Sequence, residues 1–301
     1  MEGSSANQGE SRRLRQLFDA PSEPVLIPGT AHALGALLIQ EAGFPAVYMT
    51  GSGVAATQFG LPDVGVVTLT EMTGCAQRIV EAVSLPVLAD ADTGYGNQIN
   101  TIRTVQQYER AGVQGIHIED QVFPKKCGHM EGKALISAGQ MQSKIRAALE
   151  ARTNEDTLII ARTDAVTVYD LEEAIDRCKR YADSGADALF PCGISTVEGF
   201  VQLGAALQGG PPLMVDMTEW GVSPIIPAAE LYEMGFPIVI YPSAMLRVAQ
   251  AAMRTALAHI REHGTQEALL SQMMTRADLY DLVGLPEFQA WERQYADTRG
   301  E

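Results

Sequence analysis

The segment Ala89-Asp90-Ala91-Asp92-Thr93-Gly94-Tyr95-Gly96 sets two carboxylates two residues apart. On a strand that spacing puts both side chains on one face. Carboxylates held side by side repel unless a proton or a cation stands between them. A further acid follows in Ile118-Glu119-Asp120-Gln121, and Asp63 sits among turn residues in Gly60-Leu61-Pro62-Asp63-Val64-Gly65. Hard oxygen donors with no histidine partner suit Mg²⁺ or Mn²⁺ better than Zn²⁺. A salt-bridged or helix-capping cluster is the plainer reading of the same residues. A second chemical signal is Pro124-Lys125-Lys126-Cys127-Gly128-His129-Met130-Glu131-Gly132-Lys133. Nearby cations favour a thiolate, and two glycines let a loop of this kind close over a site. Cys127 therefore reads as functional, whereas Cys75 and Cys178 fall in helical stretches and read as packing.

Other candidates stand close to short apolar runs. Arg162, in Ala161-Arg162-Thr163-Asp164, is suited to grip a carboxylate with its planar fork, or else to pair with Asp164. In Tyr48-Met49-Thr50-Gly51-Ser52-Gly53, small residues let backbone N–H groups approach a carboxylate or phosphate, although a plain turn explains the segment as well. Cys192, Asp216 and Thr218 follow two later runs, and Tyr241-Pro242-Ser243-Ala244-Met245-Leu246-Arg247 follows the last. His32, His117, His259 and His263 lack comparable company and are assigned no role.

The elements that must position these residues are legible as eight runs. They are 25–27, 46–49, 86–89, 115–118, 158–161, 188–190, 213–215 and 238–240. Each is short, β-rich and almost continuously apolar, as parallel strands covered on both faces are. Helical stretches over 101–111, 137–151, 171–184 and 227–234 connect them. Gly43, Gly112, Gly185 and Gly235 each precede a run by a few residues, as C-cap glycines do. Eight such units predict an α/β fold of the (β/α)8 TIM-barrel type, with catalysis at the C-terminal strand ends. An open doubly wound sheet is the alternative, but no GxGxxG follows the first run. The predicted organisation is one barrel domain over 1–301, with a disordered start at 1–10 and a C-terminal helical region at 246–297. That region holds more helix than one barrel unit needs and could pack on a neighbouring subunit.

Composition limits the partners. The 301 residues carry 22 Lys plus Arg against 37 Asp plus Glu, a formal net charge of -15. Such a chain has no electrostatic reason to bind nucleic acid or anionic membranes nonspecifically. No apolar run approaches the roughly 20 residues of a membrane-spanning helix, and the first residues lack a signal-peptide core. Four cysteines without a CxxC pair suggest free thiols in the cytoplasm.

Taken together, these motifs resemble the isocitrate lyase/phosphoenolpyruvate mutase superfamily. The run Lys125-Lys126-Cys127-Gly128-His129 is similar to its K-[KR]-C-G-H signature. The segments 60–65, 90–96, 115–121, 161–165, 217–221 and 241–244 follow the same order. Within the superfamily the resemblance is closest to the 2-methylisocitrate lyases. It implies a barrel whose last helix is swapped between subunits of a homotetramer. It also implies Mg²⁺-dependent retro-Claisen cleavage of a 2-hydroxy di- or tricarboxylate, a small-molecule carboxylate, into a 2-oxo acid and a second carboxylate. The implied general acid is Cys127, with Tyr48 as base, assisted by Lys125, and His129 in the same catalytic loop. The implied metal residues are Asp90, Asp92, Glu119 and Asp63. Substrate contacts are implied at Thr50, Gly51, Ser52, Gly128, Arg162, Cys192, Asp216, Thr218, Arg247 and Arg276. The sequence departs from the pattern at three places. Cys192 stands for an acid, Asp216 for an asparagine and Thr50-Gly51-Ser52 for Ser-Gly-Gly. These changes widen the expected substrates from 2-methylisocitrate to substituted malates such as 2,3-dimethylmalate. Oxaloacetate hydrolysis or decarboxylation, phosphonate mutase or hydrolase chemistry, and noncatalytic binding of a 2-oxo acid are the alternatives.

Overall fold

A computed structural model describes residues 14–128 and 130–296. The expected disordered start at 1–10 and the catalytic candidate His129 lie outside the described residues. Eight parallel strands form one sheet: β1 (Val25–Thr30), β2 (Val47–Met49), β3 (Val87–Asp90), β4 (Gly115–Glu119), β5 (Leu158–Thr163), β6 (Ala188–Pro191), β7 (Met214–Asp216) and β8 (Ile238–Tyr241). Their order is β6-β5-β4-β3-β2-β1-β8-β7. A parallel bridge between Leu189 and Leu213 joins the two ends, so the sheet closes into a (β/α)8 barrel. All eight apolar runs are strands. The four expected cap glycines adopt the left-handed backbone, with φ of 79° at Gly43, 84° at Gly112, 92° at Gly185 and 93° at Gly235.

The helices of the barrel unit are α1 (Ala33–Glu41), α2 (Gly51–Gln58), α3 (Leu69–Ala82), α4 (Gln98–Arg110), α5 (Ala138–Ala151), α6 (Ala165–Val168), α7 (Leu171–Asp183), α8 (Val197–Ala206) and α9 (Ala228–Glu233). Caps fix where several of them begin. Thr68, Asn97 and Ser137 each accept from a first-turn N–H, and the third helical residue bonds back.

Strand alternation fills the barrel. Val25, Ile27, Tyr48, Leu88, Leu158, Ile160, Phe190, Met214, Ile238 and Ile240 belong to one buried cluster, with Leu14 and Phe18 of a helical stretch at 14–18. An added Cβ on Gly115, at the start of β4, would lie 2.9 Å from Leu14 Cδ2. That stretch therefore seals the N-terminal mouth. Two residues beyond the apolar members, on the same inward rows, come Asp90, Arg162, Cys192 and Asp216. The packed floor thus ends where chemistry begins.

The chain divides into two compact units, with the boundary between Met245 and Leu246. The second unit contains most of α10 (Ala244–His263), a 3₁₀ turn at Glu267–Gln272, α11 (Arg276–Leu282) and α12 (Leu285–Tyr295). Leu246 and Leu269 are its buried apolar residues, while Val248, Leu257, Leu270, Phe288, Trp291 and Tyr295 are exposed. Among the described residues no helix is long and apolar enough to cross a membrane.

Candidate active site

The acid rim is built from β2, β3 and β4. Strand β3 ends at Asp90 and Asp92 follows at φ 47°, so a turn brings these acids together rather than strand alternation. Asp90 is oriented by two backbone donors. The Asp92 N–H donates to Oδ1 at 2.9 Å and the Gly51 N–H to Oδ2 at 3.3 Å. A Cβ on Gly51 would come 2.5 Å from that Oδ2, so the close approach requires glycine. The strand-two segment is therefore a helix start, with Thr50 capping α2 through Gly53 and its hydroxyl 3.2 Å from Ser52 Oγ.

Lys125 reaches into this rim. Its ammonium lies 2.5 Å from Asp63 Oδ1 and 2.9 Å from Asp92 Oδ1. Burial opposes its charge, but Asp92 and Asp63 hold its pKa well above the ordinary lysine value. It is a fixed ammonium, not a base. Burial pushes the Asp92 carboxyl up to about 6 against the pull of Lys125. Burial likewise raises Glu119 well above the carboxylate range, with Arg162 opposing.

His117 is the residue that sequence reasoning missed. It is fully buried on the inward row of β4, two before Glu119, and its Nε2 is 2.8 Å from the Tyr48 hydroxyl and 3.7 Å from Asp90 Oδ1. That row was the available signal. Burial, then Arg162, lowers the His117 pKa well below its usual value, so the ring is neutral. Burial and Asp90 raise the Tyr48 phenol, which is therefore protonated at rest.

Across the mouth, Arg162 is pinned by Asp164 (3.2 and 3.3 Å) and Glu119 (3.3 Å), with its guanidinium 5.2 Å from the Phe190 ring centre. The cysteine loop sits directly on this group. Gln121 and Leu135 form an antiparallel bridge at its base, and the Gln121 amide exchanges bonds with the Lys126 backbone. Lys133 donates to the Gly128 carbonyl and lies 3.1 Å from Asp164 Oδ1. A Cβ on Gly128 would lie 2.3 Å from Arg162 Nη2 and 3.0 Å from Cys192 Sγ. Cys127, half-buried, is thus on the same barrel mouth as Asp90 and Asp92. The lysines beside it in sequence point elsewhere: Lys125 to Asp63 and Asp92, Lys126 toward the Glu131 carbonyl.

Asp216 and Cys192 are neighbours. The thiol donates to Asp216 Oδ1 at 3.9 Å, and the Thr218 hydroxyl to Oδ2 at 3.1 Å. Asp216 thus sets a carboxylate beside Cys192 across the β6–β7 seam. Behind the site, Asp120 accepts from Thr163, Tyr181 and Arg177 at 2.7–2.9 Å and fixes the end of β4 to β5 and α7. Arg247 and Arg276 belong to the second unit, near the start of α10 and at the first residue of α11.

A family model described as phosphoenolpyruvate phosphomutase matches residues 14–261. The chain belongs to this family. A 2,3-dimethylmalate lyase of Eubacterium barkeri is 42% identical over 288 residues, covering 95% of this chain and 98% of the relative. A 2-methylisocitrate lyase of Aeropyrum pernix is 41% identical, covering 92% and 88%. A crystal structure of 2,3-dimethylmalate lyase superposes with a TM-score of 0.89 at 41% identity, covering 95% of each chain. An oxaloacetate acetylhydrolase with the inhibitor 3,3-difluorooxalacetate also gives 0.89, at 36% identity and 95% and 97% coverage. These relatives share the barrel, and the family assignment agrees with the motif reading of the cysteine loop and the acid rim.

The rim offers hard oxygen donors of the kind a divalent cation takes. Among the described residues no group of three His, Cys, Asp or Glu stands ready to coordinate a metal ion, and Lys125 lies between Asp63 and Asp92. The chemistry nevertheless fits. Glu119 Oε1 is buried without a hydrogen-bond partner, and, beyond burial, the charge of Asp90 raises the pKa values of both Asp92 and Glu119. Magnesium keeps several waters and needs few protein ligands.

Proposed function

We propose that the protein is a Mg²⁺-dependent carbon–carbon lyase that cleaves a 2-hydroxy di- or tricarboxylate into a 2-oxo acid and a second carboxylate. The observation that carries this reading is the docking of the cysteine loop. Gly128 rests on Arg162 and Cys192 while Lys125, three residues earlier, is buried in the acid rim. A thiol, a guanidinium and carboxylates share one mouth. The lyase names of relatives at about 40% identity support the same class.

Asp90, Asp92 and Glu119, with Asp63 through water, would hold the cation. When bound, it would polarise the 2-hydroxy acid end and neutralise the developing 2-oxo acid. Arg162 gives two of its five N–H donors to Asp164, leaving others for a substrate carboxylate. Thr50, Gly51, Ser52, Gly128 and Thr218 would line the approach of the substrate. As the carbon–carbon bond breaks, its electron pair passes to the carbon beside a carboxylate. Tyr48 accepts the hydroxyl proton while passing its own to His117 Nε2. Cys127 then protonates the new carbanion. The ammonium of Lys125 stays charged and stabilises negative charge at the rim. We also infer a cytoplasmic homotetramer with a swapped C-terminal helix. The exposed apolar surface of the second unit supports an association of this kind.

The test is direct. With Mg²⁺ and 2-methylisocitrate or 2,3-dimethylmalate, the protein should release a 2-oxo acid, read by coupled reduction, and a chelator should abolish release. Cys127→Ser should lower turnover about 10²–10⁴-fold with the fold intact. Full activity in that variant refutes the acid assignment. Acetate release from oxaloacetate, with no cleavage of either hydroxy acid, refutes the lyase reading.

A further inference from the structure

We propose that Cys127 and Cys192 form a site of oxidative modification, at which a hydroperoxide joins the two thiols in a reversible disulfide. Among the described residues no cysteine is joined in a disulfide. Cys75 and Cys178 are buried in α3 and α7, on the outer helices. Cys127 lies on the loop that docks at the barrel mouth, and its neighbour Gly128 sits against Cys192. An added Cβ on Gly128 would lie 3.0 Å from Cys192 Sγ. Consecutive Cα atoms stand about 3.8 Å apart, which places the Cys127 Cα within about 8 Å of that sulfur. A disulfide needs Cα atoms about 4.4–6.8 Å apart. The Cys192 sulfur is within about 3 Å of its own Cα, so the two Cα atoms are at most about 11 Å apart, and the bond forms when the loop carries Cys127 toward Cys192.

The two thiols differ in the way such a reaction needs. Cys127 is half-buried on a loop and meets the peroxide first, whereas Cys192 is buried. The Cys127 thiolate attacks one peroxide oxygen, the O–O bond breaks, and water leaves once the departing oxygen is protonated. The product is a sulfenic acid. Cys192 sulfur then attacks the Cys127 sulfur, the S–O bond breaks, and a second water leaves. Asp216 Oδ1, which already accepts the Cys192 S–H at 3.9 Å, takes the thiol proton as the S–S bond forms. In sum, two thiols and one hydroperoxide give one disulfide and two waters (or one water and an alcohol, for an alkyl hydroperoxide). A dithiol reverses the bond by exchange. The effect of the disulfide on turnover rests on the proposed role of Cys127 as acid, but its formation does not.

The experiment treats the reduced full-length protein with hydrogen peroxide and follows intact mass, peptide linkage and turnover together. The expected product has lost two hydrogens, links the peptides holding 127 and 192, and shows turnover lowered about 10²–10⁴-fold. Dithiothreitol should restore both mass and activity. In Cys192→Ser and Cys192→Ala the link should be absent, with Cys127 passing to the sulfinic acid that dithiothreitol does not reverse. Cys75→Ser should leave the link unchanged. Oxidation of wild-type Cys127 to sulfinic acid with no 127–192 link overturns the proposal, whatever the variants do. A 127–192 link with full turnover leaves the modification standing and refutes the acid role of Cys127.

Discussion

Replacing Gly128 by alanine isolates the docking of the cysteine loop from its chemistry. Gly128 lies outside the left-handed region, so alanine brings no backbone strain there. The added methyl would lie 2.3 Å from Arg162 Nη2, 3.0 Å from Cys192 Sγ and 3.1 Å from Asp164 Oδ1. Arg162 cannot easily withdraw. It is bonded twice to Asp164, paired with Glu119 and stacked on Phe190. The loop must therefore lift instead. Overpacking of one methyl costs about 1–3 kcal/mol, equivalent to about 5–150-fold in the docked population. Because Cys127 reaches the substrate only from the docked loop, kcat/KM for 2-oxo acid release should fall by a factor in that range. The melting temperature should hardly change, since the loop is outside the barrel core. The coupled assay and a thermal melt on the same preparation decide the matter. An unchanged kcat/KM in Gly128→Ala would refute the claim that docking places the acid.

Lys125→Met removes an ammonium held between Asp63 and Asp92. It should destabilise the metal-free protein by about 3–5 kcal/mol, the usual effect of leaving buried charge unpaired, and Mg²⁺ should restore part of the melting temperature. Stability against pH should show opposing contributions in the presence of a chelator. Burial raises Asp92 to about 6 in the folded state, so its ionisation is a penalty above pH 6 that is relieved as pH falls toward about 4. Burial would also raise Asp164, but Arg162 and Lys133 hold it down to about 2. Its contribution is therefore present above about pH 4 and lost as pH falls to about 2. The metal-free protein should melt highest between these windows, and Mg²⁺ should flatten the upper one. Phe288→Glu with Trp291→Glu places charge on the exposed apolar surface of α12. Light scattering should then report an assembly smaller than the wild type, and an unchanged mass would remove α12 from the interface.

The barrel was legible because its signals are local. Each strand is one apolar run, and the glycine before every second strand marks a helix end that needs positive φ. Asp90, Glu119 and Arg162 were legible for the same reason, being the polar residues that terminate those runs. Their partners were not. Lys133 reaches Asp164 across 31 positions and Lys125 reaches Asp63 across 62. Neither pairing leaves a trace in spacing. Lys125 makes the same point, since the folded loop turns it into the acid rim, which its place two residues before Cys127 does not reveal. His117 was passed over because it was weighed by its neighbours rather than by its row. Counting by twos from Gly115 puts it inward beside Glu119, where the Tyr48 hydroxyl meets it.

The same row logic explains why the three departures fall where they do. Thr50, Cys192 and Asp216 each lie two residues beyond a buried inward residue, Tyr48, Phe190 and Met214. They form the layer directly above the packed floor. A substitution one layer lower would leave a cavity or an overpacked core, and one layer higher would fall in loops. At this level a side chain can change charge or size without disturbing the barrel. Cys192 and Asp216 face each other across the β6–β7 seam, with the thiol donating to the carboxylate, so this layer holds one buried carboxylate beside a thiol. Under the proposed mechanism, Arg162 and the acid rim would carry the reaction class, and the wall of Cys192 and Asp216 would face the rest of the substrate.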